Sequence, residues 1–121
     1  MKILDFSEYN YSNRKEIKKC IDAGQYFVAV EKEIAGAMIL ILDENSCQIR
    51  AIASGKKGAG RLLVNFAIDK CKKEGIPKLW CWSLARRKAE GFYEKMGFEE
   101  KLLMRKQWLG EDCWIFGKVT S

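Results

Sequence analysis

A glycine-rich turn is the part of this sequence whose residue types and spacing could do chemistry. Residues 54–60 read Ser-Gly-Lys-Lys-Gly-Ala-Gly, between a β-branched run and a helical pattern. The first N–H groups of a helix have no partner within it and carry partial positive charge, so they bind phosphate where the chain approaches closely. Glycines remove the side chains that would block this approach. The residues expected to bind a phosphate-bearing cofactor here are Lys56, Lys57, Gly58, Ala59, Gly60 and Arg61.

Three cofactor motifs compete for this turn. A Walker loop requires Gly-Lys-Ser/Thr, but Gly60 is followed by Arg61 and Leu62, which excludes it. A dinucleotide-binding turn requires a third glycine that is missing here. Gly-x-Gly at the start of a helix, with a tyrosine one strand and one helix later, fits best. An ordinary tight turn is the alternative.

The sequence contains no histidine and five cysteines. The absence of histidine excludes histidine-based catalytic triads and most transition-metal sites, so no metal is expected. The cysteines are odd in number and lack a Cys-x-x-Cys spacing, which favours buried free thiols over disulfides or zinc ligands. Cys81 could be a nucleophile, but a structural thiol is favoured because no histidine is present to lower its pKa.

Composition and charge narrow the class of protein. The chain has 121 residues, 48% hydrophobic and 31% charged, with one proline, so a single globular domain over residues 1–121 is expected. The net charge of +6 suits an anionic ligand, although spread lysines are also typical of a solvated surface. The N-terminus lacks an apolar signal-peptide core, and the apolar run Ile34–Leu42 is too short to span a bilayer. A cytoplasmic location without membrane contact is therefore expected.

The hydrophobic pattern predicts the order β-α-β-β-β-α-β-α-β-β, an α+β (mixed α/β) architecture. The predicted strands are Lys2–Phe6, Tyr26–Val30, Ile34–Leu42, Cys47–Ala53, Leu79–Trp82, Leu102–Gln107 and Cys113–Val119. The predicted helices run from a cap at Ser12 or Asn13 to Gly24, from the glycine-rich turn to Gly75, and from Arg86 to Met96. The inward faces of the last two are expected to hold Leu63, Phe66, Ala67 and Cys71, and Ala89, Phe92, Tyr93 and Met96. Gly36 indicates a bulge or a close backbone approach.

Two segments resemble the GCN5-related N-acetyltransferase (GNAT) family, which uses acetyl-coenzyme A. The family's pyrophosphate loop, Arg/Gln-x-x-Gly-x-Gly/Ala, corresponds to residues 55–60, with Gly55 in the Arg/Gln position. Its second signature, a small residue followed by Phe-Tyr-Glu-Lys-x-Gly-Phe, appears at residues 89–98 as Ala-Glu-Gly-Phe-Tyr-Glu-Lys-Met-Gly-Phe. The two signatures at this separation, with a strand between them, are more specific than either alone.

The resemblance implies an acyl-CoA N-acyltransferase fold, with a central, mostly antiparallel sheet flanked by helices. It implies that acetyl-CoA binds the glycine-rich turn and that a backbone N–H near Ile52 or Ala53 acts on the oxyanion. Phe92 and Tyr93 would also contact the cofactor, and Tyr93 would be catalytic as the acid that protonates the departing thiolate. A free phenol has a pKa near ~10 against ~8.5 for a thiol, so this transfer is chemically competent. A core aromatic is the alternative role for Tyr93.

The predicted function is therefore transfer of an acetyl or acyl group from acetyl-CoA to a primary amine by direct attack. The acceptor is a small molecule or a peptide, and its identity is left open by the sequence. The alternative is a non-catalytic domain of the same fold that binds CoA or a partner. No nucleic-acid partner is expected, because the basic residues are not interleaved with aromatics on one strand face. A homodimer is possible if Trp108 and Trp114 are exposed.

Overall fold

The computed structural model describes residues 25–30 and 34–121 of the chain. The strands are β1 (Tyr26–Val30), β2 (Ile34–Asp43), β3 (Ser46–Ser54), β4 (Lys78–Leu84), β5 (Glu100–Trp108) and β6 (Glu111–Val119). The helices are α1 (Ala59–Glu74) and α2 (Glu90–Lys95), with a 3₁₀ turn at Ala85–Arg87. The predicted strand Lys2–Phe6 and the predicted helix Asn13–Gly24 lie outside the described residues. No helix in the described ranges is long and apolar enough to cross a membrane.

The chain divides into two compact units. The first comprises Met1–Ile41 and Ile49–Ala67, and the second comprises Leu42–Gln48 and Ile68–Ser121. The first unit therefore holds β1, most of β2 and β3, and the first half of α1. The second holds the end of β2, the start of β3 and the turn between them, and the rest of α1 together with β4, α2, β5 and β6. The assignment of the whole chain to one domain stays a prediction.

In the first unit, β1 and β2 pair antiparallel, with Tyr26 opposite Ile39 and Ala29 opposite Gly36. β3 lies on the other side of β2. The two-residue turn that joins β2 to β3 belongs to the second unit, and its residues Glu44 and Asn45 have φ angles of 52° and 61°. Such left-handed pairs match the twist of a hairpin. The predicted run of strands and the polar turn between them are therefore confirmed.

The buried face of α1 differs in part from the predicted one. Leu63, Ala67 and Cys71 are buried as expected, and Val64 and Ile68 join them. Phe66 instead is 45% exposed, and its ring contacts that of Phe27 with 4.9 Å between centroids. The buried residues of α1 thus follow one another at spacings of one, three and four residues along one face of the helix. Phe66 lies at the edge of this face, where a neighbouring aromatic ring covers it in part.

Gly36 is a point of close approach, as the sequence predicts. A Cβ atom on this residue would lie 2.8 Å from the backbone oxygen of Ala53 and 3.2 Å from both the Cβ of Ala59 and a methyl carbon of Leu63. Only a residue without a side chain leaves room for the end of β3 and the start of α1 at this distance. Gly36 therefore fixes how closely the glycine-rich turn is held to β2.

In the second unit, β6 lies between β4 and β5 and pairs antiparallel with both. A two-residue turn, Leu109 and Gly110, joins β5 to β6, so both strands are longer than predicted. Trp108 and Trp114 are half-buried rather than exposed. Trp108 contacts Trp82, and Lys101 lies over the ring of Trp114 at 5.0 Å. These tryptophans therefore give no support to the homodimer, which stays a proposal.

The predicted helix Arg86–Met96 is wrong in its first part. The chain forms a 3₁₀ turn and then reaches Lys88, whose φ of 53° lies in the left-handed region. This conformation ends the turn, because it cannot continue a right-handed helix. α2 begins only at Glu90, and of its six residues only Tyr93 is buried. Phe92 is 37% exposed, since fewer than two helical turns can present only a narrow inward face.

Both described helices end as the sequence predicts. Gly75 and Gly97 have φ angles of 72° and 86°, and each follows the last turn of its helix. The next residues, Ile76 and Phe98, donate backbone hydrogen bonds to the carbonyls of Cys71 and Tyr93, at 2.8 and 3.0 Å. This is the Schellman arrangement, in which a left-handed glycine lets the chain satisfy the last carbonyl groups of the helix.

The contact at Gly36 gives a stability prediction. We expect Gly36→Ala to lower the free energy of unfolding by about 1–3 kcal/mol, because the new methyl group meets backbone that cannot move aside cheaply. Urea denaturation measures this change. Gly91→Ala is the matched control: nothing lies within 4 Å of its added Cβ, and alanine favours the helix. Equal stability of the two variants would show that the turn can move away from β2 without cost.

Candidate functional site

The glycine-rich turn is anchored to β2 through a single carbonyl group. The backbone N–H groups of Gly55 and Lys56 both donate to the oxygen of Ala35, at 2.8 and 3.2 Å. The Ser54 hydroxyl donates to the carbonyl of Lys56 at 3.0 Å. These three bonds reverse the chain immediately after β3 and direct it into α1. Ala35 was not indicated by the sequence, because a backbone carbonyl has no side-chain signature.

The start of α1 leaves several backbone donors available. Ala59 donates to the carbonyl of Lys56 at 3.1 Å, and Leu62 donates to that of Gly58 at 3.0 Å. Four more backbone N–H groups of the turn have no hydrogen-bond acceptor among residues 25–30 and 34–121, and they belong to Lys57, Gly58, Gly60 and Arg61. Such unpaired donors at the positive end of a 16-residue helix form an anion-binding arrangement.

Gly58 gives this turn its shape. Its φ angle of 90° is left-handed, and nothing lies within 4 Å of the position a Cβ would take. The backbone there is thus open to a ligand. Ala59 is buried, whereas the cations Lys57 and Arg61 are exposed and Lys56 is half-buried. The structure therefore brings together, in the first unit, all six residues that the sequence assigned to phosphate binding.

Ile52 and Ala53 lie near the end of β3, directly before the turn. The Ala53 side chain is fully buried in a small core cluster with Ala37, Ile39 and Ala51. Ile52 is half-buried, as expected for alternate residues of a strand, which point to opposite faces. Their backbone roles toward the oxyanion stay a prediction.

Tyr93 lies in the second unit, inside a cluster of aromatic rings. Its ring stacks on that of Phe116, with 4.7 Å between centroids and 24° between planes. The rings of Phe92 and Phe98 meet it edge-on at 5.0 and 5.2 Å. Edge-to-face and offset-stacked pairs of this kind each add roughly 0.5–1.5 kcal/mol beyond burial. The Tyr93 ring therefore has one well-defined position, and only 5% of the residue is exposed.

The Tyr93 side chain is hydrogen-bonded to the thiol of Cys81 on β4. The pKa of Cys81 is raised from 9.0 to about 12, because burial, the larger effect, raises it and the hydrogen bond from the Tyr93 hydroxyl to the sulfur offsets only part of this rise. At neutral pH the thiol is therefore protonated, which argues against a nucleophilic role and favours a structural thiol. The sequence singled out both residues but gave no signal of their contact, since 12 positions separate them.

The remaining described cysteines agree with the sequence analysis. Cys47, Cys71 and Cys113 are also free and buried, and Cys20 lies outside the described residues. Within residues 25–30 and 34–121, no group of three or more His, Cys, Asp or Glu side chains is placed to hold a metal ion.

Comparison with known proteins identifies a family. Residues 3–98 match the family model described as the acetyltransferase (GNAT) family. This range includes both the glycine-rich turn and the segment around Tyr93, so the resemblance drawn from these two segments is confirmed. No curated protein sequence matches the chain.

Solved structures agree in fold at low sequence identity. The ribosomal-protein-S18-alanine N-acetyltransferase of Escherichia coli is 22% identical with a TM-score of 0.70, and the match covers 99% of this chain and 92% of that one. A Bacillus subtilis acetyltransferase in complex with CoA is 18% identical with a TM-score of 0.74, covering 98% and 96%. Ard1 from Thermoplasma volcanium is 12% identical with a TM-score of 0.76, covering 98% and 95%. The predicted α+β acyltransferase fold is confirmed.

The raised pKa of Cys81 gives a prediction for stability at high pH. The folded chain keeps the thiol proton up to about pH 12, whereas the unfolded chain releases it near 9.0. Stability is therefore fully present below pH 9 and falls as pH rises between these values, by about 1.4 kcal/mol per pH unit. Cys81→Ala should have a lower free energy of unfolding at pH 7, but this energy should fall less steeply above pH 9 because the variant lacks the thiol. Urea denaturation from pH 7 to 11 measures both curves, and parallel curves would contradict the prediction.

Proposed function

Because the chain belongs to the acetyltransferase (GNAT) family, we propose that it transfers an acetyl group from acetyl-CoA to a primary amine. The observation that carries the proposal is the turn before α1, where four backbone N–H groups have no acceptor among the described residues. A pyrophosphate is the part of CoA that such donors recognise. An amine acceptor on a small molecule or on a peptide is consistent with this chemistry.

The residues of the turn fit a pyrophosphate. The helix end offers directed donors and partial positive charge, and the open space beside Gly58 allows phosphate oxygens to reach the backbone. Lys57 and Arg61 are exposed next to these donors and add charge that strengthens an anion's hydrogen bonds.

Gly55 departs from the family pattern, which has Arg or Gln at this position. In this chain the Gly55 N–H holds the turn to Ala35, so residue 55 contributes to the shape of the turn and offers no side-chain contact to a phosphate. Lys56 and Lys57, the next two residues, are the cations nearest in sequence to replace that contact. The departure lowers the number of directed phosphate contacts and does not remove the site.

Tyr93 is the residue that we propose as the catalytic acid. Bound acetyl-CoA supplies the acetyl group as a thioester, whose sulfur must gain a proton when the amine has attacked. The Tyr93 phenol can donate that proton, because it is held rigidly by neighbouring rings and a positioned phenol is a competent general acid. The sequence contains no histidine, so no imidazole competes for the role.

The binding part of the proposal is tested by thermal unfolding with ligands. Saturating CoA should stabilise the chain, by about 2.7 kcal/mol at 100 times its Kd, whereas NAD, which lacks the pantetheine arm, should stabilise it less. Gly60→Asp places a carboxylate among the phosphate donors and should abolish the CoA shift while the fold survives, since an acidic residue suits a helix start.

Asn65→Asp is the matched control for this variant. It adds the same charge to an exposed position of α1, about 7.5 Å further along the helix axis, and should leave most of the CoA shift intact. A CoA shift that Gly60→Asp leaves unchanged, or an equal shift with NAD, would contradict binding of CoA at this turn.

The catalytic part is tested by Tyr93→Phe. The substitution removes one hydroxyl and little volume, so CoA affinity should stay close to that of the wild type, while the single-turnover rate should fall roughly tenfold or more, as expected for loss of a general acid. Tyr26→Phe is the control: it removes the hydroxyl of a half-buried residue of β1 and should leave the transfer rate unchanged. Undiminished transfer by Tyr93→Phe would return Tyr93 to a core role.

CoA binding without transfer across a diverse amine panel would favour the non-catalytic alternative.

A further inference from the structure

Cys81 and Tyr93 meet inside the second unit, and the proposed function uses only Tyr93. Cys81 lies on β4 directly opposite Phe116 of β6, and the Phe116 ring stacks on the Tyr93 ring at 4.7 Å. The Tyr93 hydroxyl donates a hydrogen bond to the Cys81 sulfur. Both residues are buried, with exposed fractions of 1% and 5%. One strand pair thus holds the phenol twice, by its ring and by its hydroxyl group.

We propose that Cys81 is a positioning residue for Tyr93 and acts through its thiol. At rest, the sulfur accepts the hydrogen bond of the Tyr93 hydroxyl and fixes the position of the phenol oxygen. During transfer the Tyr93 O–H turns from the Cys81 sulfur to the departing thiolate, the Oη–H bond breaks as the new S–H bond forms, and the Cys81 S–H turns to donate a hydrogen bond to the phenolate oxygen. The inference rests on the proposed role of Tyr93 in acetyl transfer.

The proton balance of this step closes without a further reactant. Cys81 keeps its proton throughout, so no bond to its sulfur forms or breaks. The proton that the attacking amine releases on becoming an amide replaces the one that Tyr93 gave to the thiolate. Tyr93 is therefore a phenol again at the end of each turnover, and Cys81 returns to accepting its hydroxyl group.

The surroundings of Cys81 suit this role. Burial keeps its thiol protonated at neutral pH, so an S–H is present to stabilise the phenolate. The Tyr93 ring is packed among other aromatic rings. A phenolate oxygen in such apolar surroundings gains more from a hydrogen bond than it would in water. An oxyanion left there without a donor would pay a large desolvation cost.

Cys113 is a matched control in the same unit. It is a free thiol on β6, fully buried, and its sulfur contacts the carbonyl oxygen of Glu111 at 3.9 Å. Replacing it by alanine removes a buried sulfur of the same size without removing the partner of Tyr93. Any effect of Cys81→Ala that Cys113→Ala reproduces is therefore an effect of core packing.

The kinetic test measures single-turnover acetyl transfer in Cys81→Ala, Cys81→Ser and Cys113→Ala, each with and without Tyr93→Phe. Cys81→Ala should slow transfer roughly two- to tenfold, the worth of one neutral hydrogen bond, with CoA affinity unchanged. Cys81→Ser, which restores a donor, should recover most of the rate, and Cys113→Ala should have none of this effect. In the Tyr93→Phe background, Cys81→Ala should cause no further loss.

A spectroscopic measurement tests the same contact without turnover. The chain contains four tyrosines, whose phenol carbons can be labelled with ¹³C and observed by NMR. The resonance that is missing in Tyr93→Phe belongs to Tyr93. Cys81→Ala should shift that resonance and leave the others in place, whereas Cys113→Ala should leave all four unchanged.

The outcomes separate this inference from the function on which it rests. If Tyr93→Phe is slow but Cys81→Ala transfers at the wild-type rate, or if Cys81→Ala slows both backgrounds equally, the role of Cys81 is overturned and the role of Tyr93 stands. If Tyr93→Phe itself transfers at the wild-type rate, the role of Tyr93 in the proposed function fails first. An unshifted Tyr93 resonance in Cys81→Ala overturns the contact itself.

Discussion

The carbonyl group of Ala35 accepts two hydrogen bonds from the chain that leaves β3, and the geometry of the turn before α1 depends on this pairing. The pairing engages the backbone N–H groups of Gly55 and Lys56, so the N–H groups available to a ligand are those of the residues that follow. The neighbouring residue, Gly36, lets the start of α1 approach β2 at van der Waals distance. A rigid strand thereby orients the N–H groups of a helix end, which would be poorly aligned on a free loop. Preorganised donors of this kind bind an anion without the entropic cost of ordering the turn.

A second constraint acts on Tyr93. A helix of six residues is too short to be stable alone, so its position comes from packing against β6 and from its own C-terminal glycine. Phe116 and Phe98 fix the ring, and Cys81 holds the hydroxyl group. Burial has two effects here, because the same apolar surroundings that fix the phenol also keep the Cys81 thiol protonated. Position and protonation state therefore have one physical cause.

Local signals in the sequence were reliable where the physics is local. Gly75 and Gly97 end helices because a left-handed residue costs glycine little, and this holds in any tertiary context. The order of the six described strands along the chain and the places of the two short turns follow from alternation and from turn chemistry, although the turn at Leu109 and Gly110 is shorter than predicted. The helix predicted from Arg86 failed at Lys88, whose left-handed backbone no propensity indicates. Phe66 and Phe92 were assigned to the core because they are apolar, yet both are partly exposed.

The sequence by itself determined the family and the α+β fold, and it singled out the six residues of the turn that we propose to bind phosphate, because these depend on residue types at short, fixed spacings. It also singled out Tyr93 as a candidate acid. Only the tertiary structure decided that Ala35 holds the turn, which of its N–H groups stay open, and that Cys81 is the partner of the Tyr93 hydroxyl. The contact of Ala35 with the turn and that of Cys81 with Tyr93 both join positions well separated in the chain, and the first involves backbone atoms that every residue shares. A pattern of side chains has no means of specifying such contacts, which arise only when strands and helices pack.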